Sequence, residues 1–101
     1  MSSLSQLQYH KEASKEVREA YLWYAERDRK TARLFAGEIN LAIEKIRQSP
    51  TRWPRYDGGV RRYVLHDFPF QIMYYLDAAR TVIVLAVAHT RKRPGYWAHR
   101  K

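Results

Sequence analysis

Pro50 divides this chain into two parts whose apolar residues recur at different periods, and that change of period restricts the fold more than any other feature. Before it, Ala32, Phe35, Ala36, Ile39, Ile43 and Ile46 keep the three- and four-residue steps of one helical face. Pro50 ends that run, because a proline cannot continue the helical hydrogen-bond ladder. The spacing predicts a helix over 29–48. Upstream, Ala13, Val17, Ala20, Tyr21 and Tyr24 mark one face of an earlier helix starting near Glu12, with Glu12 and Glu16 at the end where the helix dipole favours negative charge. The charged run 26–30 interrupts this stripe, and Asp28 reads as the N-cap of the second helix. Helices so close in sequence are expected to lie antiparallel and share one core, with Tyr21 and Tyr24 packed inside it.

After Pro50 the pattern belongs to strands. Trp53 and Pro54 read as a loop in which Trp53 is a plug, and Asp57-Gly58-Gly59 as a turn. A strand over 60–67 follows, then a turn at Pro69, a strand over 70–76 with Phe70, Ile72, Tyr74 and Leu76 on one face, and a turn over 77–80. The run 82–88 is apolar throughout and is expected in the sheet interior, buried on both faces. Residues 7–10 alternate apolar and polar and suggest one short strand ahead of the helices; residues 1–5 read as disordered. The predicted fold is α+β, in the order strand, helix, helix and three strands, a helical hairpin on a mainly antiparallel sheet. A length of 101 residues suits a single domain, which would bury roughly 65% of the surface its unfolded chain exposes.

Apolar residues make up 46% of the chain and aromatic residues 14%, enough for a core, so global disorder is not expected. Without cysteine there can be no disulfide framework or thiolate metal site, and the four histidines lack ligand spacing, so no metal and no cofactor is expected. No basic and apolar leader opens the sequence and no apolar run approaches a membrane span, which points to the cytoplasm and away from a membrane.

The net charge of +9 is unevenly distributed: residues 1–49 hold nine basic and seven acidic side chains, residues 50–101 ten and three. Such asymmetry favours a polyanionic partner, against the plainer reading of solubility. It is densest in the tail 89–101, where five Lys or Arg, two His, Tyr96 and Trp97 follow the last strand with no acid among them.

Enzyme templates mostly fail. There is no P-loop, no dinucleotide-binding glycine run and no nucleophile elbow. The second half has only Asp57, Asp67 and Asp77, all at predicted turns, so carboxylate acid-base chemistry is not supported. What remains is a basic constellation. Arg61 and Arg62 point to opposite faces of their strand, so at most one can share a surface with His89, Arg91 and Arg93. Arginines so grouped can clamp a phosphate, and His89 or Tyr96 could move a proton, which would be metal-free ribonuclease chemistry. Set against this, His89 has a plain reading as a strand-end residue in an ordinary hydrogen bond. Tyr96 and Trp97 read either as a base-stacking platform or, for Trp97 the favoured alternative, as an anchor that folds the tail back. The target-binding candidates are Arg61, His89, Arg91, Arg93, Tyr96 and Trp97.

With these residues in place, the chain resembles the RelE/ParE superfamily of toxin-antitoxin toxins over residues 8–100. The resemblance is carried by Glu12, Ala13 and Tyr21 to Tyr24 in the first helix, and by Ile43, Ile46 and Ser49-Pro50 closing the second. It continues through Gly58-Gly59-Val60-Arg61, Phe68-Pro69-Phe70 with Ile72 and Tyr74, and a tail running from Ala86-Val87-Ala88-His89-Thr90-Arg91 through Arg93-Pro94 to Tyr96-Trp97. It implies a toxin of the predicted layout, held inactive in a hetero-oligomer by a cognate antitoxin whose C-terminal segment wraps it. RelE-like members cut mRNA in the ribosomal A site with basic and tyrosine side chains; ParE-like members poison DNA gyrase. Against the cutting pattern, the arginine expected early in the middle strand is Gln71, the one expected after the last strand is Thr90, and only Tyr96 matches. The resemblance therefore implies a ParE-like, gyrase-directed toxin. The alternatives are a ribosome-dependent endoribonuclease using His89, Arg91 and Tyr96, and a non-enzymatic nucleic-acid-binding module.

Overall fold

A single aspartate joins the two helices. In the computed structural model, which describes residues 4–101, α1 runs Lys11–Arg27 and α2 Arg29–Gln48, and Asp28 serves both. Its backbone N–H donates to the Tyr24 carbonyl at 2.7 Å, closing α1. Its carboxylate accepts from the Lys30 N–H at 3.1 Å, a donor that the start of α2 leaves without a helical partner, and from the Thr31 hydroxyl at 2.8 Å. His10 caps α1 through Nδ1, which accepts from the Glu12 N–H. The expected bounds of α2 are those observed. Tyr24 packs among Phe35, Phe68 and Phe70 as expected, whereas Tyr21 is 37% exposed: it lies too far round α1 to reach the sheet.

The strands are β1 Leu7–Tyr9, β2 Arg55–Asp57, β3 Val60–Val64, β4 Phe70–Leu76 and β5 Val82–His89. They form one sheet in the order β1-β5-β4-β3-β2, with β1 parallel to β5 and every other pair antiparallel. The mainly antiparallel α+β arrangement is the expected one with an additional strand, since β2 occupies what reads in sequence as loop. Gly58 and Gly59, with φ of 52° and 86°, make the β2–β3 turn, a left-handed conformation that favours glycine. The expected strand over 60–67 is shorter, because after Val64 the chain turns away and the His66 and Asp67 N–H groups donate to the Glu38 carboxylate of α2. Of the segment expected to be disordered, residues 1–3 lie outside the described residues. Ser5 is fixed, its N–H donating to the Arg47 carbonyl and its own carbonyl accepting from Arg47 Nε.

Both faces of the sheet are covered. On the helix side, Phe35, Ile39, Ile46, Ile72, Tyr74, Val82, Val84 and Val87 form the larger core. On the outer side, Val60, Met73, Leu85, Ala86 and Trp97 form a smaller one. β5 lies between β1 and β4 and is buried on both faces as its composition requires. A bulge sets its facing: Met73 pairs with Ala86 and Tyr74 with Val84, leaving Leu85 unpaired. That extra residue shifts the alternation, so Val84 and Val87 both face the helices and His89 follows Val87 to that side.

Candidate target-binding surface

The tail is fastened through Glu16. This acid stands in helical step with Ala13 and Ala20, on the face of α1 turned toward the sheet. Its Oε1 accepts from the Val87 N–H at 3.0 Å, tying α1 to the bulged strand. The Tyr96 hydroxyl donates to Oε2 at 2.6 Å, and the Arg100 guanidinium donates to both oxygens at 3.0 and 3.1 Å. Arg100 also donates to the Leu85 carbonyl and lies over the Tyr96 ring. Burial works against the Arg100 charge, but the hydrogen bond and charge of Glu16 outweigh it and its pKa rises. Burial first, then Glu16, pushes the Tyr96 hydroxyl well above the ordinary tyrosine value.

These contacts lay the tail across the outer face. Trp97, 5% exposed, packs with Val60, Met73, Leu85 and Ala86, and Lys101 reaches the Gly58 carbonyl. Trp97 therefore adopts its anchor reading and offers no open stacking platform. Tyr96, half-buried, spends its hydroxyl on Glu16.

The remaining candidates separate. Arg61 lies on the helix-facing side of β3 and donates to the Trp53 carbonyl at 2.7 Å, holding the loop that Trp53 plugs against Tyr63. His89 lies at the other end of the sheet, its ring edge-on to Phe70 at 5.2 Å and its Nδ1 accepting from the Arg91 N–H. His89 thus makes an ordinary strand-end hydrogen bond. His89, Tyr96 and Glu16 line a groove of about 680 Å³ floored by Ala20, Tyr24, Phe70 and Val87. Arg91 is exposed and forms no part of that wall.

Arg62, not Arg61, is the strand arginine that joins the tail cations. It lies on the outer face opposite Met73 and shares a recess of about 330 Å³ with Lys92, Arg93, Tyr56, Gln71 and Thr90. Tyr56 reaches this surface only because β2 forms beside β3, which nothing local in the sequence signals, whereas Glu16, which fastens the tail, is marked by its helical step with Ala13 and Ala20. Among the described residues the ion pairs are Arg47–Glu44 and Arg100–Glu16, with the His66 ring hydrogen-bonded to Asp67, so Arg62, Lys92 and Arg93 enter none. Among the same residues, no group of three or more His, Asp or Glu is placed to hold a metal ion, and no helix is long and apolar enough to cross a membrane.

Comparison with known proteins agrees with this architecture. A solved structure titled "Chromosomal ParDE TA system from P. aeruginosa" superposes with a TM-score of 0.74, covering 87% of this chain and 98% of the other at 17% identity. No curated protein sequence matches the chain. The sequence model of the family described as "ParE toxin of type II toxin-antitoxin system, parDE" matches residues 7–94, from β1 to the proline that precedes the latched tail. This chain belongs to the ParE toxin family of type II toxin-antitoxin systems.

Proposed function

We propose that this protein inhibits DNA gyrase as a protein ligand in the cytoplasm, acting as a single-domain toxin that a cognate antitoxin neutralises. One observation carries the preference for binding over cutting. Tyr96, the sole match to the nuclease pattern, donates its hydroxyl to Glu16, while neutral Gln71 and Thr90 stand together in the outer recess where cutting relatives have arginines. Each missing cationic contact to a developing phosphorane should raise the barrier by about 3 kcal/mol, enough together to leave a nuclease ineffective. The same recess keeps Arg62, Lys92 and Arg93, which suit a ligand that must grip an acidic target without transforming it. An antitoxin segment rich in acids would suit the basic half of the chain and would order as it binds.

The test is a supercoiling assay with purified toxin, gyrase and relaxed plasmid. Loss of supercoiling, or accumulation of cleaved plasmid with protein attached, is expected, and prior addition of the antitoxin should abolish it. Full supercoiling with no trapped cleavage would remove gyrase as the target. A second reading, ribosome-dependent cleavage of mRNA through His89, Arg91 and Tyr96, draws on His89 and Tyr96 lining one groove. Under that reading, primer extension on translated mRNA would find cuts that disappear with His89→Ala; uncut message is the expected result here.

A further inference from the structure

The outer recess has a composition that gripping an acidic protein does not require. Its cations come from two segments, Arg62 from β3 and Lys92 with Arg93 from the chain after β5, and none of them enters an ion pair among the described residues. No acid lines it. Between the cations stand an aromatic ring, Tyr56, 40% exposed, and the aliphatic Val64, 55% exposed. The Arg62 guanidinium lies 5.3 Å from the centre of the Tyr56 ring, and the ring's position is set by its edge-on contact with the buried Trp97. Gln71 and Thr90 add neutral groups that can both donate and accept hydrogen bonds.

An acidic peptide would use the cations and leave the ring and the valine in water. A DNA duplex would do the same, since its bases are stacked inside. An unpaired strand uses all three features: phosphates on Arg62, Lys92 and Arg93, a base against Tyr56, and base edges within reach of Gln71 and Thr90. We infer that the recess between Tyr56, Arg62, Gln71, Thr90, Lys92 and Arg93 is a binding site for an unpaired DNA strand. The identification of the strand as DNA rests on the gyrase reading; the site itself does not.

The experiment uses the whole protein and no gyrase, so its failure and the failure of gyrase inhibition are separate results. Binding of a fluorescent oligothymidylate is followed by anisotropy over a salt series. The chain is compared with the double variant Arg62→Glu with Arg93→Glu, and with Arg29→Glu plus Arg33→Glu, which makes the same charge change on exposed positions of α2. Log affinity should fall linearly with log salt, and the recess variant should flatten that slope by about 1.4, roughly 0.7 for each phosphate released on a single strand. The α2 variant should leave the slope unchanged. Tyr56→Ser should weaken binding by about fivefold or more at unchanged slope, because it removes a stacking surface and no charge. Circular dichroism of each variant checks that the fold is retained. Absence of binding at low salt, or equal loss in the recess and α2 variants, would overturn the site. Displacement of the strand by polyglutamate of equal charge and concentration would assign the recess to an acidic protein instead. Tighter binding of oligouridylate than of oligothymidylate would overturn the choice of DNA.

Discussion

A carboxylate largely withdrawn from water needs a partner for each oxygen, and Glu16 has the Val87 N–H, the Tyr96 hydroxyl and a two-pronged Arg100. The Glu16 and Arg100 side chains are only 18% and 8% exposed, so removing one leaves the other's charge buried and unmatched. Glu16→Ala should therefore destabilise the protein by more than about 3 kcal/mol, whereas Tyr96→Phe, which deletes one donor to the carboxylate and leaves its ion pair, should cost about 1.5 kcal/mol. Urea unfolding of the two variants checks the ordering, and equal losses would mean that the carboxylate is not the hub. In the sequence Glu16 passes for a helix-end acid interacting with the dipole. The sign that it does more is its step from Ala13 to Ala20, which aims it at the sheet. The tail's cations are equally ambiguous when read in line: Arg100 turns inward to this acid while Arg91, Lys92 and Arg93 stay outside, and no local spacing distinguishes them.

Elements whose limits are set by local chemistry were readable; those set by pairing were not. Both ends of α2 follow from side chains near in sequence, Asp28 at the start and Ser49-Pro50 at the end, and the observed helix keeps the predicted bounds. Asp28→Ala would release the Lys30 N–H and the Thr31 hydroxyl together, an expected cost of about 1 kcal/mol, while Asp28→Asn should keep most of the cap. Thermal melting of the two variants makes the comparison, and equal losses would point to the aspartate's charge, not its cap. By contrast β2 is a three-residue edge strand, exposed throughout, formed only because β3 lies beside it across a glycine turn. The bulge at Leu85 is likewise invisible in an all-apolar run, where alternation carries no information about facing. It decides the site nonetheless, since it turns His89 toward the helices while Arg62 faces the outer recess.

At the scale of the molecule, both sheet faces are closed by groups that must remain neutral, and this predicts the response to alkali. Tyr74 is fully buried beneath the helices and donates to the Pro50 carbonyl at 2.7 Å; Tyr96 pins the tail on Glu16. Burial raises the pKa of both, and of Tyr9 and Tyr24, above the ordinary 10.0. The sign follows directly. A folded-state value above the unfolded one means that the native chain holds its proton more tightly, so the stability these groups contribute is fully present below pH 10.0 and is lost as pH rises from there toward the folded values. In that window Tyr74 and Tyr96, whose shifts are large, each lower stability by about 1.4 kcal/mol per pH unit. The rise also discharges lysines and relaxes the self-repulsion of a chain that carries +9 near neutrality, but that opposing effect is screened by salt, whereas the buried hydroxyls are not. In moderate salt, stability should hold from neutrality to about pH 10 and then drop steeply. Tyrosinate absorbance should show Tyr74 and Tyr96 ionising only as the protein unfolds. Tyr74→Phe should flatten the decline, and a single class of tyrosines titrating near 10.0 with the fold intact would refute it.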